Sequence, residues 1–142
     1  MLAILLDQPV AIMAQSPVPT GKVTGIGGIF IKSSNPRALA AWYEDVLGMK
    51  LEPWGGALLR YDVPGHPPQA VWNAFPMEST YFAPSTKEFM IDLAVDDMDA
   101  MIARLKAKGI AILKQDSDST GQFAWIMDPE GTKIELWQPK RK

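Results

Sequence analysis

Phe89, Ile91, Leu93 and Val95 alternate with Glu88, Met90, Asp92 and Ala94. A period of two predicts a strand with one face on a core. Asp96 and Asp97 then offer side-chain oxygens to the free N–H groups of a helix start. Met98, Met101, Ile102 and Leu105 follow at i, i+3, i+4 and i+7, the apolar stripe of a helix that Gly109 ends. Further strands are predicted near residues 110–114, over 122–127 and over 132–138. A polar loop at 116–121 and a turn at Asp128-Pro129-Glu130-Gly131 separate them.

An earlier stretch repeats this order. Residues 25–33 read as a strand, with Ile29 and Ile31 on one face and Gly28, Phe30 and Lys32 on the other. Asn35 is a helix cap and Pro36 stands at the first helical position. Leu39, Trp42, Tyr43 and Val46 form the apolar stripe, and Gly48 stops it. Three short strands are predicted over 49–54, 57–62 and 69–75. Gly55-Gly56 and the Pro64-Gly65-His66-Pro67-Pro68 cluster divide them, and 76–87 is a connector. The two caps, Asn35 and Asp97, lie 62 positions apart, and the same spacing places Gly28 on Met90 and Asn73 on Glu135.

A repeated unit of this kind does not cover its own sheet, so two should combine. The expected fold is α+β: two βαβββ units, about 23–76 and 87–139, forming an eight-stranded cupped mixed sheet with helices on the outer face. Residues 1–22 are read as a flexible arm and 140–142 as a tail. The apolar face of each first strand (Ile29, Ile31; Ile91, Leu93, Val95) should carry the helix. The mixed face (Gly28, Phe30; Met90, Asp92) should line the concavity, the usual kind of ligand site.

Composition narrows the function. The chain has 142 residues, 47% hydrophobic and 21% charged, the profile of one ordinary globular domain. A net charge of −2 argues against a general nucleic-acid binder. Met1 to Leu6 is apolar, but Asp7, Gln8 and Pro9 break the run well short of a membrane span. No basic residue precedes it, so a cytoplasmic protein is expected, with export through a degenerate leader ending near Ala14 as the alternative. Cysteine is absent, which removes disulfides, thiolate metal sites and cysteine nucleophiles. The single histidine, His66, excludes any mechanism needing two imidazoles within one chain, and its turn setting reads as solvent-exposed.

Three segments carry a resemblance. They are Ala40-Ala41-Trp42-Tyr43-Glu44-Asp45-Val46-Leu47-Gly48-Met49-Lys50-Leu51, Asp92-Leu93-Ala94-Val95-Asp96-Asp97-Met98-Asp99-Ala100 and Asp128-Pro129-Glu130-Gly131-Thr132-Lys133-Ile134-Glu135-Leu136. With the repeat, the chain resembles the vicinal oxygen chelate superfamily: glyoxalase I, extradiol dioxygenases, and fosfomycin- and bleomycin-resistance proteins. The resemblance implies a cup that holds a divalent ion on His or Glu from the first and fourth strands of each unit. Those positions fall on Gly28, Asn73, Met90 and Glu135. Glu135 alone matches; Gly28 has no side chain, Met90 is a soft thioether, and Asn73 offers a neutral carbonyl. A catalytic metal site generally needs about three protein ligands. No cofactor is therefore expected, with a divalent metal at a degenerate Glu135 site as the alternative.

By parity, Glu135 faces the cup with Lys133 and Trp137, and Asp92 faces it from the second unit. Two carboxylates there could divide acid and base roles, share a weakly bound cation, or only make ordinary ion pairs. Asn73 in mid-strand needs its amide used, by a ligand or by a neighbouring strand. Met90 belongs to the pocket floor or fills core space. Phe30, Phe75 and Trp137 should face the cup, whereas Trp42 and Tyr43 belong to the helix interface. An aromatic cup suits a planar or cationic organic ligand. The expected protein is a homodimer that binds such a molecule. The alternative is a lyase, isomerase or dioxygenase-like enzyme using Glu135 and Asp92.

Overall fold

The computed structural model describes residues 29, 31, 33–68, 70, 71, 73 and 75–140. The elements are α1 (Pro36–Leu47), β1 (Ile91–Ala94), α2 (Met98–Ala107), β2 (Lys114–Ser117), β3 (Gly121–Met127) and β4 (Lys133–Pro139). The fold is α+β, with one mixed four-stranded sheet in the order β1-β4-β3-β2. β1 runs parallel to β4, and the other two pairings are antiparallel. The second half of the chain is thus one βαβββ unit. Among the described residues, no helix is long and apolar enough to cross a membrane.

Both helices begin as their sequences dictate. The Asn35 side chain accepts from Ala38 N at 3.2 Å and Asp97 from Ala100 N at 2.9 Å. Gly48 closes α1 at φ 72°, where its N–H reaches back to the last carbonyls of the helix. Leu39, Tyr43, Val46 and Leu47 of α1 meet Met98, Ile102 and Leu105 of α2 in a single core with Ala124, Ile126, Ile134 and Leu136 of the sheet. Each fully buried Leu or Ile there contributes roughly 1.5–3 kcal/mol. Tyr43 also fixes α1 to the β3–β4 turn by donating its hydroxyl to buried Asp128 at 3.0 Å. Asp128 further accepts from the backbone N–H groups of Glu130 and Thr132, so the turn is held by its first residue.

Strand expectations are corrected in both halves of the chain. β2 lies at Lys114–Ser117, not at 110–114, and takes part of the stretch read as a polar loop. All four of its residues are exposed, so this edge strand shows no hydrophobic alternation; its place is set by pairing with β3. Ile110 and Ile112 pack against the core ahead of it. In the first half, the strands expected over 49–54 and 57–62 meet only at one antiparallel bridge, Leu51 with Ala57. Residues 70, 71, 73 and 75 carry no strand. Hence Asn73, expected in mid-strand, stands exposed in irregular chain. Pro53 and the Gly55-Gly56 turn interrupt pairing here, and Trp54, Leu58 and Leu59 are exposed. Gly28 and Phe30, with most of the strand expected over 25–33, lie outside the described residues.

Candidate functional site

Strand parity divides the sheet into a helix-covered face and an open face. Register then places residues in rows across the open one. Asp92 of β1 stands opposite Glu135 of β4, Glu135 opposite Trp125 of β3, and Trp125 opposite Lys114 of β2. The neighbouring row runs Ala94, Trp137, Phe123, Asp116. Two expected carboxylates and one expected aromatic thus come together on one surface.

Glu135 is the anchor. It is only 8% exposed, and its Oε2 accepts two hydrogen bonds, one from the Tyr81 hydroxyl at 2.5 Å and one from Trp125 Nε1 at 2.7 Å. Buried charge demands such partners. Asp92 is open to solvent along one side and crowded by protein on the other. That crowding, with the nearby charge of Glu135 adding to it, pushes its carboxyl up to about 6. Desolvation, followed by the bond and charge of Glu135, holds the Tyr81 phenol well above its ordinary range.

Aromatic rings gather around Glu135. Trp137 stacks with Phe123 at 6.5 Å between centroids and Phe123 with Trp125 at 5.9 Å, nearly parallel in each case. Tyr81 meets Trp125 edge-on at 6.5 Å, and Phe75 stacks on Tyr81 at 5.2 Å. Phe82 packs against both Phe75 and Tyr81. Two ammonium groups complete the surface: Lys114 lies 5.3 Å over the Trp125 ring and Lys133 lies 5.2 Å over that of Tyr81. Desolvation lowers Lys133 from the ordinary lysine value. Its amine donates to the Tyr81 carbonyl rather than to Glu135.

Of the residues singled out in the sequence, Phe75 and Trp137 lie with Glu135 and Asp92 on the open face. Met90 is half-buried just ahead of β1, and Asn73 is exposed two residues before Phe75. His66, read as solvent-exposed, is half-buried and meets Tyr61 edge-on at 5.0 Å. Trp42 and Tyr43 lie in the helix core, as their stripe implied. Sequence reasoning missed Tyr81, Phe82, Phe123 and Trp125. Parity along β3 would have found Phe123 and Trp125, which alternate with buried Ala124 and Ile126. Tyr81 had no such signal, because it stands in a connector without periodicity.

The residues present make a poor divalent-metal site. Among the described residues, no three His, Asp or Glu side chains converge to hold an ion. On Glu135, Oε2 already accepts two protein donors. Two grooves of about 350 Å³ lie away from the acidic pair, one beside Ser117, Gln122 and Gln138 and the other beside Trp42, Ile110 and Met127. The acidic pair sits instead on the sheet's open surface.

A glyoxalase-like domain model matches residues 28–137. Among solved structures, a glyoxalase/bleomycin resistance protein from Streptomyces sp. CB03234 is 38% identical over 34% of this chain and 42% of that chain, with a TM-score of 0.32. TnmS3, an antibiotic binding protein from the same source, is 25% identical over 76% of this chain and 88% of its own, with a TM-score of 0.46. A glyoxylase/bleomycin resistance protein/dioxygenase domain from Frankia sp. EAN1pec is 15% identical over 84% of this chain and 100% of its own, with a TM-score of 0.48. No curated protein matches the chain.

Proposed function

The chain belongs to the glyoxalase-like domain family of the vicinal oxygen chelate superfamily, and we propose that it binds a small organic molecule on the open face without a tightly held metal. One observation carries this reading: the Asp92–Glu135 pair lies directly beside the stacked rings of Trp125, Phe123 and Trp137. Flat rings favour a planar aromatic ligand. Adjacent carboxylates favour one that carries positive charge or N–H donors. The ligand set supports metal independence, since among the described residues no three His, Asp or Glu side chains converge to hold an ion.

The eight-stranded cup of two units and the homodimer belong to the same proposal. Trp54, Leu58, Leu59 and Val71 are each more than half exposed, an apolar surface that a second copy could cover. Sedimentation of the purified protein tests this, and a monomer at micromolar concentration would remove the dimer.

A second reading, a lyase or isomerase, has one observation in its favour. Asp92, pushed up to about 6, is close to the value at which a side chain both takes and returns a proton at neutral pH. Glu135 would then orient the substrate beside it.

The deciding experiment is a thermal-shift series. Elemental analysis of untagged protein and titration with Zn, Ni, Mn, Co and Fe(II) come first, followed by planar aromatic cations. Ligand at about 100 times its Kd stabilises the native state by roughly 2.7 kcal/mol. A saturable shift with an aromatic cation, lost in Trp137→Ala, is the expected result. Near-stoichiometric metal would overturn the metal-independent reading. Once a substrate is found, Asp92→Asn separates the two classes: lost turnover with substrate still bound marks an enzyme, and unchanged turnover removes the proton-transfer role from Asp92.

A further inference from the structure

Tyr81 is tied down more heavily than its place in an irregular connector requires. Its hydroxyl donates to Glu135 Oε2, its carbonyl accepts from Lys133 Nζ, and its ring stacks on Phe75 and meets Trp125 edge-on. These partners come from β3, β4 and the chain before the connector. The ring thereby stands over β4 at Glu135, which explains how a residue on the open face is only 8% exposed. Trp125 Nε1 donates to the same oxygen from the sheet side. A carboxylate held by two donors on one oxygen has lost its rotational freedom. Among the described residues no hydrogen bond reaches Oε1.

We infer that Tyr81 is a positioning residue: with Trp125 it pins Glu135 by Oε2, so that Oε1 and the neighbouring Asp92 carboxylate together form the polar end of the ligand site. This rests on the binding reading above for its purpose, but not for its geometry. The ligand group that suits it carries two N–H donors on one positive centre, such as an amidinium or a primary ammonium, which can bridge two carboxylate oxygens from different strands.

The test follows the Trp125 indole N–H signal by NMR in ligand-free protein, assigned with Trp125→Phe. Tyr81 and Trp125 share one acceptor oxygen, so Tyr81→Phe, which keeps the ring on Phe75, should shift that signal, and Glu135→Gln should shift it too. A purely structural role for Tyr81 would change the melting temperature and leave the signal in place, and an unmoved signal in a folded Tyr81→Phe overturns the inference. If Tyr81→Phe fails to fold, the Tyr81 hydroxyl proton of wild type is read instead: slow exchange that is lost in Glu135→Gln supports the inference, and free exchange overturns it. The same variants are then titrated with benzamidine as the probe. Tyr81→Phe should weaken binding by about tenfold, and by no more once Glu135→Gln is also present. A shifted indole signal with no benzamidine or aromatic-cation binding in wild type keeps the positioning role and removes the ligand reading. Equal benzamidine binding in wild type and a variant with an unmoved signal does the reverse.

Discussion

The two faces of β4 alternate along seven residues and share nothing in chemistry. Ile134 and Leu136 point into the helix layer and are 0% and 1% exposed. Lys133, Glu135 and Trp137 point the other way, into a surface of rings and charges. β3 repeats the contrast, with Ala124 and Ile126 against Phe123 and Trp125. The helix face is what packing alone would select. The open face is not, because a buried carboxylate costs stability unless every bond to it is well made, and an apolar residue of similar size would cost less. A sheet that keeps Glu135 under aromatic rings is accepting that cost for something other than folding, and a ligand is the economical explanation.

The contrast can be broken most sharply by truncating neighbours on β4. Leu136→Ala should lose about 3 kcal/mol in urea unfolding, since the site is sealed and a cavity remains. Trp137→Ala removes a larger side chain but a half-buried one, and should cost about half as much while abolishing binding of aromatic cations. Equal losses would mean that the open face is core beneath another layer, as a cup closed by a second unit or a second chain would make it.

The helix layer offers a smaller test. Asn35→Ala and Asp97→Ala each remove one cap bond and should each cost about 1 kcal/mol by thermal unfolding. Because each acts within its own helix, similar losses are expected even though, among the described residues, a complete βαβββ motif forms only around α2. A loss confined to Asp97→Ala would show that α1 contributes little to the cooperative core.

What could be read from sequence follows the same division between local and distant causes. Caps, apolar stripes and the Asp128 turn depend on neighbours within a few positions, and the helices fall where the pattern put them. The outward parity of Asp92, Glu135 and Trp137 was legible because Ile91, Leu93, Ile134 and Leu136 fix the inward one. β2 was displaced because an edge strand exposed on both sides leaves no alternation to read. Tyr81 was invisible for a stronger reason. Its role depends on Glu135, 54 positions away, and nothing in the connector marks which of its residues crosses the sheet.

The smallest expected effect bears directly on why the open face differs. Asp92 has a folded value of about 6, raised first by desolvation and then by Glu135, against about 3.8 when unfolded. Between those values the folded chain holds more protons than the unfolded one, so stability falls as pH rises through roughly pH 4 to 6. The penalty is fully present above the folded value and absent below the unfolded one. Asp92→Asn cannot ionise and should therefore be more stable than wild type at pH 7.5, with the difference gone near pH 3.5. One side of Asp92 faces water, so screening reduces the gain to under about 1 kcal/mol. Urea midpoints at the two pH values decide it. A variant weaker than wild type at pH 7.5 and equal to it near pH 3.5 would mean that the ionised carboxylate is satisfied within the fold. The open face would then be held together by its charges, and its contrast with the helix face would lie in chemistry rather than in purpose.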